Sequence, residues 1–346
     1  MEVVTLPLPP SLRSKLQAAG YSTIDSNVSP VELARDVCIT HEEALGIIKL
    51  IPTSNVSPCG TGASSALDFC GQNAWDLFRH EKAKRRIITS CHDLDNILGG
   101  GICTKEVTEI CGVPGVGKTQ LGIQLAVNVQ IPAELGGMGG HAIYIDTEGS
   151  FMVERAVQMI ESSVVEIMRR AMLDPQVDME ALKSEVNVDK FLSQIYYFRI
   201  HDVSEQVAVI NTLEKFMIEH GQVRLIVIDS VTFHFRQGFE DMALRTRLLS
   251  SLSLKLMALV QKHDLAIVLV NQVTNKITQE GSEVVPALGE SWSHACTNRL
   301  ILYWRDGQRF ASLFKSPSLP TATAAYEVSA KGITDAFQTY KKAKYI

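Results

Sequence analysis

A glycine-rich loop between a predicted strand and a predicted helix constrains this chain more than any other feature. The loop reads GVPGVGKT, from Gly112 to Thr119. It follows the apolar run VTEIC and precedes TQLGIQLAV, in which apolar residues recur with helical spacing. In this context glycine leaves backbone N–H groups and the positive end of the helix free to surround a phosphate. The sequence therefore predicts a phosphate-binding loop, in preference to a tight turn without a ligand.

The residues of the loop are expected to contact the phosphates of a nucleotide and its metal ion. Lys118 is expected to reach the β- and γ-phosphate oxygens, and the Thr119 hydroxyl is expected to face Mg²⁺. ATP and Mg²⁺ are therefore the expected cofactors. The predicted nucleotide-binding residues of the loop are Gly112, Val113, Pro114, Gly115, Val116, Gly117, Lys118, Thr119 and Gln120.

Short apolar runs alternate with helical patterns after about Thr89. The runs VTEIC, HAIYIDT, QIYYFRI, VRLIVID and LAIVLVN are typical of strands buried on both faces of a parallel sheet. Three later runs, RLILYW, RFASLFKS and AAYEVSA, are predicted to add antiparallel strands at one edge. The predicted fold class is α/β, with a mostly parallel sheet flanked by helices.

The first part of the chain has a different pattern. LRSKLQAAG, SPVELARDV and THEEALGIIKLI predict three or four short helices, and PTSNVSPCGTGASSA has the composition of a linker. The predicted organisation is a small helical domain over 1–55, a linker over 56–88 and the α/β core over 89–346.

Composition excludes several classes of protein. No apolar run approaches the ~18 residues of a membrane span, and MEVVTLPLPP does not resemble a secretory signal. The 7 cysteines are odd in number and form no Cys-x-x-Cys pair, which favours a reducing compartment without disulfides or zinc. With a net charge of −5, the chain is not expected to bind nucleic acid through its overall field. Any contact with DNA should be local or shared with partner subunits.

Polar side chains end three of the predicted strands. Asp229 ends VRLIVID and is predicted to hold Mg²⁺ through its water shell; a helix cap is the alternative. Glu148 follows HAIYIDT and is predicted to activate the attacking water, the alternative being a cap for the helix near Phe151, a role that also suits Asp146. Gln272 ends LAIVLVNQ and is predicted to contact the γ-phosphate.

The segment VTNKITQEGSEVVPALGESWSHA follows Gln272 and contains Lys276. It shows no strand or helix pattern and is expected to be a long functional loop, or else a surface loop without a role. Lys276 is a candidate DNA contact within it.

Together these segments resemble one family, the RecA-type recombinases, and within it the eukaryotic branch and its paralogues. The resemblance rests on LDNILGGGI, EICGVPGVGKTQL, AIYIDTEGSF, RLIVIDS, VNQV, SHACTNRL and KSPSLP, which occur in the order of the family and cover about Ile88 to Asp335. EICGVPGVGKTQL, QIYYFR and PALGESW are most similar to the C paralogue subfamily. The resemblance implies a RecA-like ATPase core with Lys118, Glu148 and Gln272 as catalytic residues.

The resemblance also implies roles outside the loop. Arg155 matches the position that packs on adenine, and His294 matches a residue that reaches the nucleotide of a neighbouring subunit. Lys315, Ser316 and Pro317 match a second such segment. Because Lys315 stands where the strand-exchange enzyme has an aspartate, we expect its ammonium to supply the cation for a partner's ATP. A solvated lysine on an edge strand is the alternative.

Three segments depart from the family. In GASSALDF, Ala63 stands where filament-forming members carry a phenylalanine, three residues before Ala66. A homofilament is therefore disfavoured, and the predicted contacts with a different partner are Ala63, Ala66, Leu67 and Phe69, with Trp75, Leu77 and Phe78 close behind.

The other two departures concern DNA. The loop TFHFRQGFEDMALRTR after Asp229 is shorter than in the strand-exchange enzyme, and it offers Arg236, Arg245 and Arg247 as phosphate contacts. For Arg245 and Arg247 the polar face of a helix is an equal alternative. Cys38 stands where the family has a glycine-bearing hairpin. Because cysteine adopts φ > 0 less readily than glycine, this departure disfavours DNA binding by that hairpin.

The resemblance implies an ATP-dependent, weakly hydrolysing paralogue in homologous recombination and DNA repair. Its expected partners are single-stranded DNA, sister paralogues in a heteromeric complex and the main recombinase, but no membrane. The expected location is the nucleus, with the cytoplasm as a second site. A strand-exchange recombinase that forms its own filament and a scaffold that binds ATP without hydrolysis are the alternatives. A hexameric helicase fits the helical domain less well.

Overall fold

The structure, a computed structural model, describes residues 8–21, 23, 30–40, 43–44, 47, 73–174, 178–236, 239, 241–278, 281–288 and 291–336. The chain divides into two compact units, Met1–His80 and Glu81–Ile346. The domain boundaries expected near residues 55 and 88 stay predictions.

The smaller unit is helical where it is described. Helix α1 spans Pro10–Ala18 and helix α2 spans Pro30–Val37. Pro10 begins α1 at the position where a missing N–H costs nothing. The core of this unit contains Leu8, Leu16, Leu33, Val37, Ala44 and Ile47.

Cys38, immediately after α2, has a φ of 53° and so lies in the left-handed region that glycine favours. The expected reluctance of cysteine to adopt this conformation is therefore overcome here. We expect Cys38→Gly to raise the free energy of unfolding of this unit by about 0.5–1 kcal/mol, because relief of strain exceeds the entropy that glycine adds to the unfolded chain. Thermal unfolding would measure the gain, and Cys38→Ala, which keeps the strain, is the control. A loss of stability in Cys38→Gly would contradict the expectation.

Helix α3 spans Ala74–Ala83, inside the segment that was expected to be a linker. The helices of the larger unit follow it in chain order. They are α4 (His92–Ile97), α5 (Lys118–Asn128), α6 (Val153–Ala171), α7 (Met179–Glu185), α8 (Val188–Ser193), α9 (Val203–Glu219), α10 (Phe233–Arg236) and α11 (Met242–Lys262), with 3-10 turns at Ala133–Leu135 and Ser291–Ala295.

The strands form a small two-stranded sheet and one large sheet. Strands β1 (Arg86–Ile87) and β2 (Ile102–Cys103) pair with each other. The strands of the large sheet are β3 (Val107–Gly112), β4 (His141–Asp146), β5 (Ile195–Arg199), β6 (Val223–Asp229), β7 (Ala266–Thr278), β8 (Gly281–Pro286), β9 (Asn298–Arg305), β10 (Gln308–Lys315), β11 (Thr323–Ser329) and β12 (Gly332–Asp335).

The order of the large sheet is β12-β11-β10-β9-β3-β7-β6-β4-β5, and β8 pairs with β7 outside this path. The strands from β9 through β5 run parallel, whereas β10, β11 and β12 continue the sheet in antiparallel fashion. The predicted fold, a RecA-like core with a mostly parallel sheet and antiparallel edge strands, is confirmed.

Both faces of the parallel strands are buried, as their continuous apolar runs require. In β4, Ala142 and Tyr144 belong to one hydrophobic cluster and Ile143 and Ile145 to another on the opposite face. Alternate residues of a strand point to opposite faces, so each strand needs apolar residues at every position. The sheet thereby fixes the strand ends on which the polar site residues lie.

The structure corrects two strand predictions. The segment after Gln272 was expected to be irregular, but β7 extends to Thr278 and pairs with β8 in antiparallel register, from Val273 opposite Pro286 to Thr278 opposite Gly281. The β-branched residues on both sides of Gln279 and Glu280 provide the hairpin pattern. Strand β9 was expected to be antiparallel, but it runs parallel to β3 and antiparallel only to β10.

None of the described helices is both long and apolar enough to cross a bilayer.

Candidate nucleotide site

The phosphate loop lies between the end of β3 and the start of α5. Gly115 and Gly117 have φ values of 76° and 114°, which residues with a Cβ rarely adopt. The first hydrogen bond of this turn joins the Leu121 N–H to the Gly117 carbonyl at 2.9 Å. The N–H groups of the preceding residues therefore have no acceptor within the helix, and they form a cradle that suits phosphate oxygens.

Lys118 folds back over this cradle. Its ammonium donates hydrogen bonds to the carbonyl oxygens of Gly112 at 2.8 Å and Val113 at 3.0 Å. Burial lowers the pKa of Lys118, and the carboxylates of Asp229 and Glu148 oppose that shift. A half-buried cation whose hydrogen-bond partners are carbonyl oxygens is well placed to exchange them for phosphate oxygens.

Thr119 and Asp229 meet at the opposite side of the loop. The Thr119 hydroxyl donates to Asp229 Oδ2 at 2.7 Å, and the Tyr144 hydroxyl donates to the same oxygen at 2.8 Å. Burial raises the pKa of Asp229, and these two hydrogen bonds oppose the rise. A hydroxyl and a buried carboxylate are oxygen donors of the kind that Mg²⁺ prefers. The residues therefore fit the expected magnesium site.

Glu148 is exposed and lies beside the predicted γ-phosphate sensor. Its Oε1 accepts hydrogen bonds from Ser230 Oγ at 2.7 Å and from Gln272 Nε2 at 2.8 Å. Gln272 Oε1 in turn accepts a hydrogen bond from Arg236. Arg236, selected as a DNA contact, thus reaches the nucleotide site through Gln272, a link that the sequence did not suggest.

Asp146 builds the turn that carries Glu148. Its buried carboxylate accepts hydrogen bonds from the backbone N–H groups of Glu148, Gly149, Ser150 and Phe151, with N···O distances of 2.7 to 3.2 Å. The Tyr197 hydroxyl donates to the same carboxylate at 3.1 Å. Helix α6 begins only at Val153, so Asp146 orders a loop and does not cap that helix.

Arg155, in the first turn of α6, lies beside the first turn of α5, where its guanidinium is held by several acceptors. It donates to Gln120 at 2.6 Å, to Gln158 at 2.9 Å and to the carbonyl oxygens of Ser329 and Ala330 at 2.5 and 2.8 Å. This fixes the plane of the group, as stacking on a base requires. Its contact with adenine stays a prediction.

The antiparallel end of the sheet covers the phosphate loop. The Tyr326 hydroxyl donates to the Val116 carbonyl at 2.8 Å. A Cβ on Gly117 would lie 3.1 Å from Val328, so the loop has little room above it. From the sequence, β11 was predicted to be one of the antiparallel strands added at one edge of the sheet. No local pattern indicates that it contacts a loop more than 200 residues earlier.

His294 and Lys315 lie near the same turn. His294 is exposed on the 3-10 turn Ser291–Ala295, and the Lys315 ammonium donates to the Cys296 carbonyl at 2.6 Å. Lys315 is half-buried on β10, which has a neighbouring strand on each side. It is therefore not on an edge strand. Ser316 is half-buried and Pro317 is exposed.

The remaining candidate DNA contacts are dispersed. Arg245 donates to the Phe235 carbonyl at 2.7 Å and ties α11 to α10. The exposed Arg247 lies 4.0 Å from Asp241. The backbone of Lys276 belongs to β7, whereas its side chain lies outside the described part of the chain.

The predicted partner contacts Ala63, Ala66, Leu67 and Phe69 also lie outside the described residues. On α3, however, Trp75, Leu77 and Phe78 are 66 %, 51 % and 48 % exposed.

Known proteins are similar to this chain over almost its whole length. A family model described as Rad51 matches residues 80–336. The chain is 42 % identical over 340 residues to "DNA repair protein RAD51 homolog 3" of Cricetulus griseus, across 98 % of this chain and 93 % of that relative. A protein of the same name from Dictyostelium discoideum is 42 % identical over 275 residues, which cover 79 % of this chain and 71 % of the relative.

A more distant relative is "DNA repair and recombination protein RadA" of Aeropyrum pernix, 33 % identical over 333 residues and 94 % of each chain. The matched region of the family model includes the phosphate loop, Asp229, Glu148 and Gln272. The chain belongs to the Rad51 family.

Proposed function

We propose that this protein is an ATP-binding, weakly hydrolysing recombinase paralogue that acts in homologous recombination and DNA repair. It would work within a heteromeric complex of sister paralogues that promotes assembly or stability of the main recombinase filament on single-stranded DNA. The observation that carries the proposal is the gathering of Lys118, Thr119, Asp229, Glu148 and Gln272 around one loop. Relatives whose names place them in DNA repair support the biological role.

Hydrolysis needs a base beside the γ-phosphate and a group that neutralises developing charge. Glu148, oriented by Ser230 and Gln272, supplies the first, and Lys118 supplies the second. Mg²⁺, held near Thr119 and Asp229, would neutralise charge on the phosphates. DNA is proposed to stimulate the reaction through the Gln272–Arg236 contact, because Arg236 ends α10 in the segment that follows Asp229 and offers the candidate DNA contacts.

The nucleotide is proposed to lie between subunits. Pro114, Gly115 and Glu148 are exposed, so the site is open to a neighbour on the side where the attacking water would bind. His294 and Lys315 would complete the site of the next subunit. The exposed Trp75, Leu77 and Phe78 support an apolar contact with a partner. Nuclear localisation is part of the same proposal.

We expect Lys315→Ala to lower ATP hydrolysis stimulated by the partner at least about tenfold, because a cation that faces developing phosphate charge is lost. Turnover of the complex and its dissociation constant with ATP are the measurements. Lys215→Ala removes an exposed lysine that faces Glu219 and is the matched control. Unchanged turnover and unchanged complex stability would contradict the role of Lys315.

Native mass spectrometry tests the whole proposal. The chain alone and with sister paralogues would be measured with and without ATP, and the heteromeric complex is expected to be strongest with ATP. Long filaments of the chain alone on DNA, seen by electron microscopy, would instead support a strand-exchange recombinase. Stable complexes with ATP but no single-turnover hydrolysis would support a scaffold.

A further inference from the structure

One buried carboxylate joins several elements behind the nucleotide site. Glu109, in the middle of β3, is 0 % exposed. Its Oε1 accepts hydrogen bonds from Asn271 Nδ2 at 2.7 Å and from Trp292 Nε1 at 3.1 Å. Its Oε2 lies 2.6 Å from Arg299 Nε and 3.5 Å from the Cys296 sulfur. Four side chains from β7, β9 and the turn near His294 thus converge on a single group.

The two donors to Oε1 stand at the two ends of one segment. Asn271 precedes it on β7, and Trp292 follows it in the 3-10 turn Ser291–Ala295. Between them lie the hairpin of β7 and β8 and the candidate DNA contact Lys276. The same carboxylate oxygen therefore closes the base of this hairpin segment, residues 272–291.

The position of Asn271 connects this base to the nucleotide site. Its neighbour Gln272 contacts Glu148, and β3 pairs with β7 so that Cys111 lies opposite Asn271 and Gly112 opposite Gln272. Glu109 is three residues before Gly112, where the phosphate loop begins. A displacement of Gln272 would therefore strain the Asn271–Glu109 bond first.

The ion pair with Arg299 fixes the orientation of this acceptor. Arg299 is only 5 % exposed, and a buried carboxylate is tolerated because it is paired and hydrogen-bonded. Apolar residues of similar volume would stabilise such a site as well or better, so stability alone does not account for the arrangement. What the polar arrangement around Glu109 provides is a fixed position for both ends of the hairpin segment.

We propose that Glu109 is a positioning residue that clamps the base of residues 272–291 and so conveys the response of Gln272 to the turn that carries His294. The inference rests on the proposed function, because Gln272 is taken there as the nucleotide sensor. Loss of one clamp bond should loosen both ends of the segment, although they are separated by 20 residues of sequence.

The test uses Trp292→Phe in the full chain, which removes one N–H donor and keeps an aromatic ring in the core. Trp304→Phe is the matched control, because Trp304 is exposed and lies under Arg309, outside this network. Hydrogen–deuterium exchange would be measured for peptides that cover residues 266–278 and 291–297, with and without a non-hydrolysable ATP analogue.

Trp292→Phe is expected to speed exchange about tenfold at both ends without nucleotide, since a hydrogen bond to a charged acceptor is worth about that factor. The analogue should slow exchange at residues 291–297 in the wild type and in Trp304→Phe, but much less in Trp292→Phe. Faster exchange at residues 291–297 alone, with the nucleotide response kept, would overturn the clamp.

Separate binding of the analogue distinguishes the two proposals. If the wild type binds the analogue and residues 291–297 do not respond, the inference fails while ATP binding stands. If the wild type does not bind the analogue, the proposed function fails, and the nucleotide-free exchange at residues 266–278 still decides whether the clamp exists. Glu109→Gln is a second variant that should loosen both ends in the same way.

Discussion

Replacing Lys118 by alanine is expected to weaken ATP binding by about 100-fold or more, because removing one partner of a desolvated charge pair costs about 2–5 kcal/mol. The ammonium already lies over the loop, bound to the carbonyls of Gly112 and Val113. Burial lowers the pKa of Lys118, and a nearby phosphate charge would stabilise the ammonium in this poorly solvated position. Titration with a fluorescent ATP analogue would measure the loss.

Glu148→Gln is the matched comparison for Lys118→Ala. This variant keeps the size and polarity of an exposed side chain but removes the base, so ATP should bind with nearly the wild-type dissociation constant. Single-turnover hydrolysis should fall about 100-fold or more, the usual contribution of a general base. Equal hydrolysis in Glu148→Gln and the wild type would exclude Glu148 as the base, and tight ATP binding by Lys118→Ala would contradict the site itself.

Asp146→Asn is expected to lower the free energy of unfolding by about 3 kcal/mol and to reduce hydrolysis as well, because it breaks a buried network of hydrogen bonds to a charged group. The carboxylate accepts hydrogen bonds from the four backbone N–H groups of residues 148–151 and from the Tyr197 hydroxyl. An amide offers one acceptor oxygen and turns two N–H donors toward groups that are themselves donors. The turn would then no longer hold Glu148 beside Gln272.

Asp202→Asn is the control for Asp146→Asn. Asp202 caps α9 through the Glu205 N–H at 2.8 Å, and asparagine is an equally good cap, so stability should change by less than about 0.5 kcal/mol. Urea denaturation and single-turnover hydrolysis would be measured on both variants. A stable Asp146→Asn protein with wild-type hydrolysis would show that the loop holds its shape without the carboxylate.

Local sequence patterns predicted much of the fold because they reflect local physics. The buried strand HAIYID, the helix after Gly117 and the loop between VTEIC and that helix follow from periodicity and glycine. The hairpin of β7 and β8 was missed because its polar residues suggested a loop, although β7 contains Ile277 and Thr278 and β8 contains Val284 and Val285. The parallel pairing of β9 with β3 was missed because pairing between strands far apart in sequence leaves no local pattern.

The sequence by itself determined which residues are proposed to carry the nucleotide chemistry. Gly112 to Thr119, Asp229, Glu148 and Gln272 were selected from motif spacing and strand ends, since the chemistry of phosphate and Mg²⁺ restricts the residue types at those places. Only the tertiary structure decided how they are held. Asp146 orders the Glu148 turn, Arg236 reaches Gln272, Tyr326 closes over Val116, and Glu109 joins Asn271 to Trp292. These contacts join residues that only the packing of the sheet and its loops brings within hydrogen-bonding distance.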